Sequence, residues 1–169
     1  MTPSPTTQQQ APGEDLTDQF LAYIARGATL GNLIGFQERD YETAYAIGHK
    51  LYMRHRFDDA VKIFGFLAMH NHLERRFVMA FASALQMAKD HASAIRIYTL
   101  AAIMDPDNPW PCFHTCECLI ALGMKAEALE GLAIVVQQCE DRLPDLRARA
   151  LAVLDLLSNN AAVAAEENQ

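Results

Sequence analysis

The chain has 169 residues, 51% of them hydrophobic, and carries 14 Lys and Arg against 21 Asp and Glu for a net charge of −7. That is enough apolar material for one domain with a sizeable core and too much for wholesale disorder. The acidic balance speaks against a nucleic-acid partner, and no apolar run reaches the roughly 18 residues that a membrane span needs.

The first residues, MTPSPTTQQQAPGEDL, lack the basic start and apolar centre of a secretory signal. Cytoplasmic residence is therefore expected, with Cys112, Cys116, Cys118 and Cys139 as reduced thiols. Residues 1–14, rich in Pro, Thr and Gln, read as a flexible tail. Leu16, Phe20, Leu21, Ile24 and Ala25 then recur at helical spacing, and Gly27 is the expected stop. Leu30, Leu33, Ile34 and Phe36 form a second short apolar stretch interrupted by Gly31 and Gly35. It reads as a short helix that caps the domain or as an arm that docks elsewhere.

From Tyr41 onward the chain repeats itself. Ala60, Ala94 and Ala128 lie 34 residues apart, each followed four residues on by Phe64, Tyr98 or Leu132. Upstream, Gly48, Ala82 and Cys116 hold a small residue at a second fixed place. Small residues at two places and a bulky one at a third, with this period, mark the tetratricopeptide repeat, a pair of antiparallel helices. The expected repeats are 41–74, 75–108 and 109–142. In the first helix of each, Ala44, Ile47, Gly48 and Leu51, then Val78, Phe81, Ala82 and Leu85, then Cys112, Thr115, Cys116 and Leu119 are assigned to the core face. Asp105-Pro106-Asp107-Asn108-Pro109 breaks the second repeat from the third. Pro144 can begin a last helix, 144–158, whose Leu146, Ala150, Leu151, Val153, Leu154 and Leu157 would cover the end of the stack. Residues 159–169 read as a disordered acidic tail. The fold class is thus all-α: a tetratricopeptide solenoid of three helix hairpins over residues 15–158, with an N-terminal helical segment and a C-terminal capping helix.

In such a solenoid the first helices line the concave side. Positions offset from the core face put Tyr45, His49 and Tyr52 there in repeat one, Met79, Ser83 and Gln86 in repeat two, and Phe113, Glu117 and Ile120 in repeat three, with Trp110 beside them. An aromatic and apolar strip with a few polar groups suits a peptide ligand. The segment His114-Thr115-Cys116-Glu117-Cys118 offers metal-type ligands, but residues 114 and 118 share a helix face that 116 leaves, so no metal is assigned. No phosphate loop, GxSxG elbow or HExxH motif is present, so neither catalysis nor a cofactor is expected.

Several segments resemble one family. Gly27-Ala28-Thr29-Leu30, Phe57-Asp58-Asp59-Ala60, Ala102-Ile103-Met104-Asp105, the run Phe113-His114-Thr115-Cys116-Glu117-Cys118-Leu119, and Gly131-Leu132 look like the class II chaperones of bacterial type III secretion, the LcrH/SycD group. The similarity runs from about Leu16 to Leu157. It implies a chaperone of the bacterial cytoplasm that shelters hydrophobic, pore-forming translocators by holding an extended segment in its concave groove. By position Tyr45, His49 and Tyr52 lead that site, with Phe113 and Glu117 behind them. His49 departs from the aromatic usual in the family, and Lys89-Asp90-His91 replaces its usual glycine-containing turn. The resemblance also admits a homodimer, for which Phe66 and His70 are candidates, and a gene regulator as a further partner. The rival reading is a generic tetratricopeptide adaptor. One that clamps a C-terminal carboxylate needs Lys, Arg and Asn in the groove, where this chain has Tyr45, His49, Ala80, Trp110 and His114.

Overall fold

The structure, a computed structural model, describes residues 18, 21–23, 25–140 and 142–166, with backbone alone beyond 159. The expected N-terminal tail, together with Leu16, Phe20 and Ile24, lies outside the described residues. Residues 18, 21–23 and 25 are helical, and Gly27 follows in the left-handed region at φ +81°. The helices after it are α1 (Leu30–Leu33), α2 (Glu38–Met53), α3 (Phe57–His70), α4 (Arg75–Met87), α5 (His91–Met104), α6 (Trp110–Ala121), α7 (Lys125–Cys139) and α8 (Pro144–Glu166). No strand occurs among the described residues.

Each helix packs chiefly on its neighbours in sequence from α2 to α8, the arrangement of a linear stack. Local chemistry sets where the helices begin. The Asp90 carboxylate accepts from Ser93 N (3.1 Å) at the start of α5, and Asn108 Oδ1 accepts from Trp110 N (3.1 Å) at the start of α6. Within each hairpin the turn needs a left-handed residue to end the first helix. His55, Lys89 and Gly123 supply it, 34 residues apart, at φ 59°, 69° and 78°. Only the third repeat uses glycine there. The glycine missing from the second turn is replaced by Lys89 in the same conformation, so the turn keeps its shape.

The core divides by repeat, and every part borrows from the next element. Tyr41, Ala60, Phe64 and Leu67 close on Phe77 and Ala84 of α4. Ala82, Leu85, Ala94 and Tyr98 close on Cys118 of α6. Phe113, Cys116, Ala128, Leu132 and Val135 close on Leu146, Ala150 and Leu157 of α8. The small residues sit at close approaches: a Cβ on Gly48 would lie 2.7 Å from the Phe64 ring, and one on Gly131 would lie 2.6 Å from Cys116 Sγ.

Two expectations change. Ile47, assigned to the core, is 50% exposed, because α2 buries Gly48 and turns the residue before it outward. The last helix does not stop at 158; it continues to Glu166, since the Ala-rich 159–166 stretch holds no breaker. The short apolar stretch takes the first of its two expected forms, a short helix packed on the first repeat. α1 starts at Thr29, whose Oγ1 accepts from Asn32 N (3.3 Å) while Asn32 Oδ1 accepts from Thr29 N (2.8 Å). It packs on α3 and brings Phe36 onto Phe66 and His70, with ring centroids 5.6 and 5.8 Å away.

Candidate functional site

The first helices α2, α4 and α6 present one continuous face, and α8 extends it. Its first half is apolar and aromatic. Tyr45, His49 and Tyr52 from α2 meet Ala80 and Ser83 from α4 over Phe64 of α3, enclosing a cavity of about 140 Å³ that opens to solvent. Three of these residues fall on one stripe of α2 because they are spaced four and three apart. The Tyr45 ring rests on Phe64 and Phe77 at 5.5 and 5.8 Å, and the Tyr52 ring stands edge-on to Phe57 at 5.4 Å. Their orientation is set by that packing before any ligand arrives. The Tyr52 hydroxyl lies 2.9 Å from Ser83 Oγ, which ties repeat one to repeat two across the cavity rim. Arg76 lies over Tyr45 at 4.8 Å and is ion-paired with Glu42.

The second half is polar. The Tyr98 hydroxyl donates to Gln86 Oε1 (2.7 Å), and Gln86 Nε2 donates to Glu117 Oε2 (3.1 Å). His114 Nδ1 reaches the same Glu117 oxygen at 2.8 Å. The His114 ring is stacked between Tyr98 at 5.3 Å and Trp110 at 5.7 Å. Burial pushes the Glu117 carboxyl up, but hydrogen bonds from His114 and Gln86, with the charges of His114 and Arg149, hold it below its ordinary value. Burial also raises the Tyr98 hydroxyl, which stays a neutral donor.

A groove with an aromatic-walled cavity at one end and a fixed polar chain at the other can bind an extended polypeptide: apolar anchors enter the cavity and main-chain groups meet the polar strip. Comparison with known proteins agrees. The tetratricopeptide repeat family matches residues 85–151. Low calcium response locus protein H of Yersinia pestis is 28% identical over 138 residues, 80% of this chain and 82% of that protein. The structure of the type III secretion translocator chaperone SycD of Yersinia enterocolitica is similar with a TM-score of 0.70 and 27% identity, over 76% of this chain and 98% of that one. PcrH, solved in complex with the chaperone binding region of PopB, is 31% identical with a TM-score of 0.65, over 70% of this chain and 97% of that one. The chain belongs to the type III secretion translocator chaperones.

The structure of this chaperone brings six of the expected groove residues to the open face in definite roles. Tyr45, His49, Tyr52 and Ser83 line the cavity, and Gln86 and Glu117 make the polar chain. Met79, Trp110 and Ile120 are half-buried and pack on the cores of their repeats. Phe113 is a correction: it is 1% exposed, enclosed in the core of the third repeat and roofed by Arg149 at 5.1 Å. Its position matches Tyr45 two repeat periods earlier, whose ring stays half-buried at the cavity although Arg76 lies over it. Phe66 and His70 are a second correction. They stack on each other at 4.0 Å and lie under Phe36, so the pair is not an open patch. Cys116 and Cys118 face different cores, and among the described residues no three His, Cys, Asp or Glu side chains gather as metal ligands.

Sequence reasoning missed Phe64 as a cavity wall and Arg76, Tyr98 and Arg149 beside the groove; Ala80 and His114 it placed in the groove only as the residues standing where a carboxylate clamp would be. Phe64 and Tyr98 sit at the bulky repeat position, which marks core; their polar or ring edges reach the groove only because Gly48 and Ala82 let the helices close up. For Arg149 the spacing held no signal, since one period earlier stands Thr115, a position assigned to the core face.

Proposed function

We propose that this protein is a non-enzymatic chaperone of the bacterial cytoplasm that holds an extended segment of hydrophobic translocator proteins in its groove until they are secreted. The observation that carries the reading is the cavity walled by Tyr45, His49, Tyr52, Phe64, Ala80 and Ser83 on the face of the first helices. PcrH is solved with the chaperone binding regions of PopD and PopB, and SycD with a peptide of the translocator YopD. A volume of about 140 Å³ takes one aliphatic side chain. No helix among the described residues is long and apolar enough to cross a membrane.

The physics suits a carrier. A polypeptide apolar enough to enter a bilayer aggregates in water unless its apolar segments are covered. Burying one anchor is worth about 1.5–3 kcal/mol. Ordering the segment takes back much of that gain, so the complex forms and still releases. Self-association is the coarser part of the proposal: SycD is solved as an alternative dimer, and here a second copy would meet Phe36 laid over Phe66 and His70 rather than bare α3.

The test is co-expression with candidate translocators, followed by co-purification and titration of the recovered client segment. Tyr52→Ala removes a cavity wall and the link to Ser83, and weakens binding about tenfold, or 1.4 kcal/mol. Calorimetry showing unchanged affinity in that variant removes the cavity from the client site.

A further inference from the structure

The second half of the groove contains a cation that the client reading does not use. Arg149 projects from α8 onto α6, with its guanidinium 5.1 Å from the Phe113 ring and 5.8 Å from the Trp110 ring. Two aromatic rings flank the guanidinium and spare it part of the entropy that a free arginine loses on pairing. Its contact in the chain is Glu117 Oε1 at 3.9 Å, beyond hydrogen-bond length. The hydrogen bonds to Glu117, from His114 at 2.8 Å and Gln86 at 3.1 Å, both go to the other oxygen, Oε2. The Arg149 side chain remains 55% exposed. Arg76, the arginine at the other end of the face, differs: it meets Glu42 through both terminal nitrogens.

We infer that Arg149 is a specificity-determining residue of the groove, which takes an acidic side chain of the bound segment in line with the anchor in the first-repeat cavity. The inference rests on the client reading above and adds the chemistry of a second recognition point. A planar fork with unused donors, held on aromatic faces, pairs with a carboxylate better than with a neutral amide. Nearby Glu117 is an opposing charge and limits the gain. Spacing makes the claim specific. The cavity lies at the seam of α2 and α4, whereas Arg149 lies at the seam of α6 and α8. Two helix spacings of about 8–10 Å separate those seams. At about 3.3 Å per residue an extended segment crosses that gap in about five or six residues.

The test uses two synthetic peptides that carry a single leucine anchor between prolines. One has Glu, the other Gln, about six residues to each side of the leucine. Fluorescence anisotropy is read with the full-length protein, with R149Q and with Arg149→Lys. The Glu peptide is expected to bind the wild type about fivefold tighter than the Gln peptide, with the advantage falling as salt rises. R149Q abolishes the difference, and Arg149→Lys, which keeps charge and loses the fork, retains part of it. Thermal unfolding of both variants separates a binding effect from loss of the packing on Phe113. Equal affinity of the two peptides for wild type overturns the inference and leaves the cavity reading intact, whether or not R149Q weakens both. Failure of both peptides to bind refutes the cavity reading and this inference with it.

Discussion

Glu117 shows how a single residue joins neighbouring repeats. It accepts from Gln86 of α4 and pairs with His114 on its own helix, and Arg149 of α8 approaches it. Its folded-state carboxyl titrates below the ordinary value. The depressed value means that its ionised form stabilises the fold above the unfolded carboxyl pKa of about 4.3, and that this contribution is lost as pH falls through the folded value. Glu117→Gln therefore unfolds at lower temperature than wild type at neutral pH, and the gap narrows below about pH 4. Circular dichroism melts across that range check it; a gap independent of pH refutes the ionic account. Tyr45, His49, Tyr52, Gln86 and Glu117 were all legible as groove residues from spacing alone. Phe113, at the same register, was not, because spacing says which way a side chain leaves its helix and not what lies above it.

At the level of elements, the least regular piece has the most specific anchoring. α1 is a single turn, yet Gly31 packs so closely on Tyr41 that a Cβ there would overlap the Tyr41 hydroxyl, which itself donates to the His70 carbonyl (3.3 Å). Gly31→Ala should push Tyr41 off His70 and lift the 29–36 segment, with Phe36, away from α3. Hydrogen exchange would show the loss as faster exchange in residues 29–36 with little change in α5–α7. Uniform protection throughout would mean that the segment tolerates the added carbon. The apolar residues of this segment announced a docking piece, but the tight glycine contact that decides where it docks is a property of two surfaces and has no signature in either alone.

Across the whole molecule, stability is passed from repeat to repeat, since each core is completed by the following helix. The last repeat depends on α8, whose Leu146 and Leu157 fill the space beside Leu132 and Val135. Truncation after Arg142 removes both leucines. The cost is about 3–6 kcal/mol at about 1.5–3 kcal/mol for each buried leucine. Urea unfolding measures it, and a truncated protein with the full midpoint would show that α8 is not the cap. The same cut removes Arg149, so the helix that seals the core also finishes the groove.

What the sequence alone determined is periodic. A repeat of 34 residues dictates helix pairs, small residues at crossings and a shared face of first helices, because helical pitch and side-chain size act locally and recur. The tertiary structure decided what covers what. Phe113 lies under Arg149 while Tyr45, two periods earlier, stays at the open cavity, and Phe66 lies under Phe36. Those outcomes depend on the ends of the stack, where the period stops and each surface meets a neighbour that the repeat does not specify.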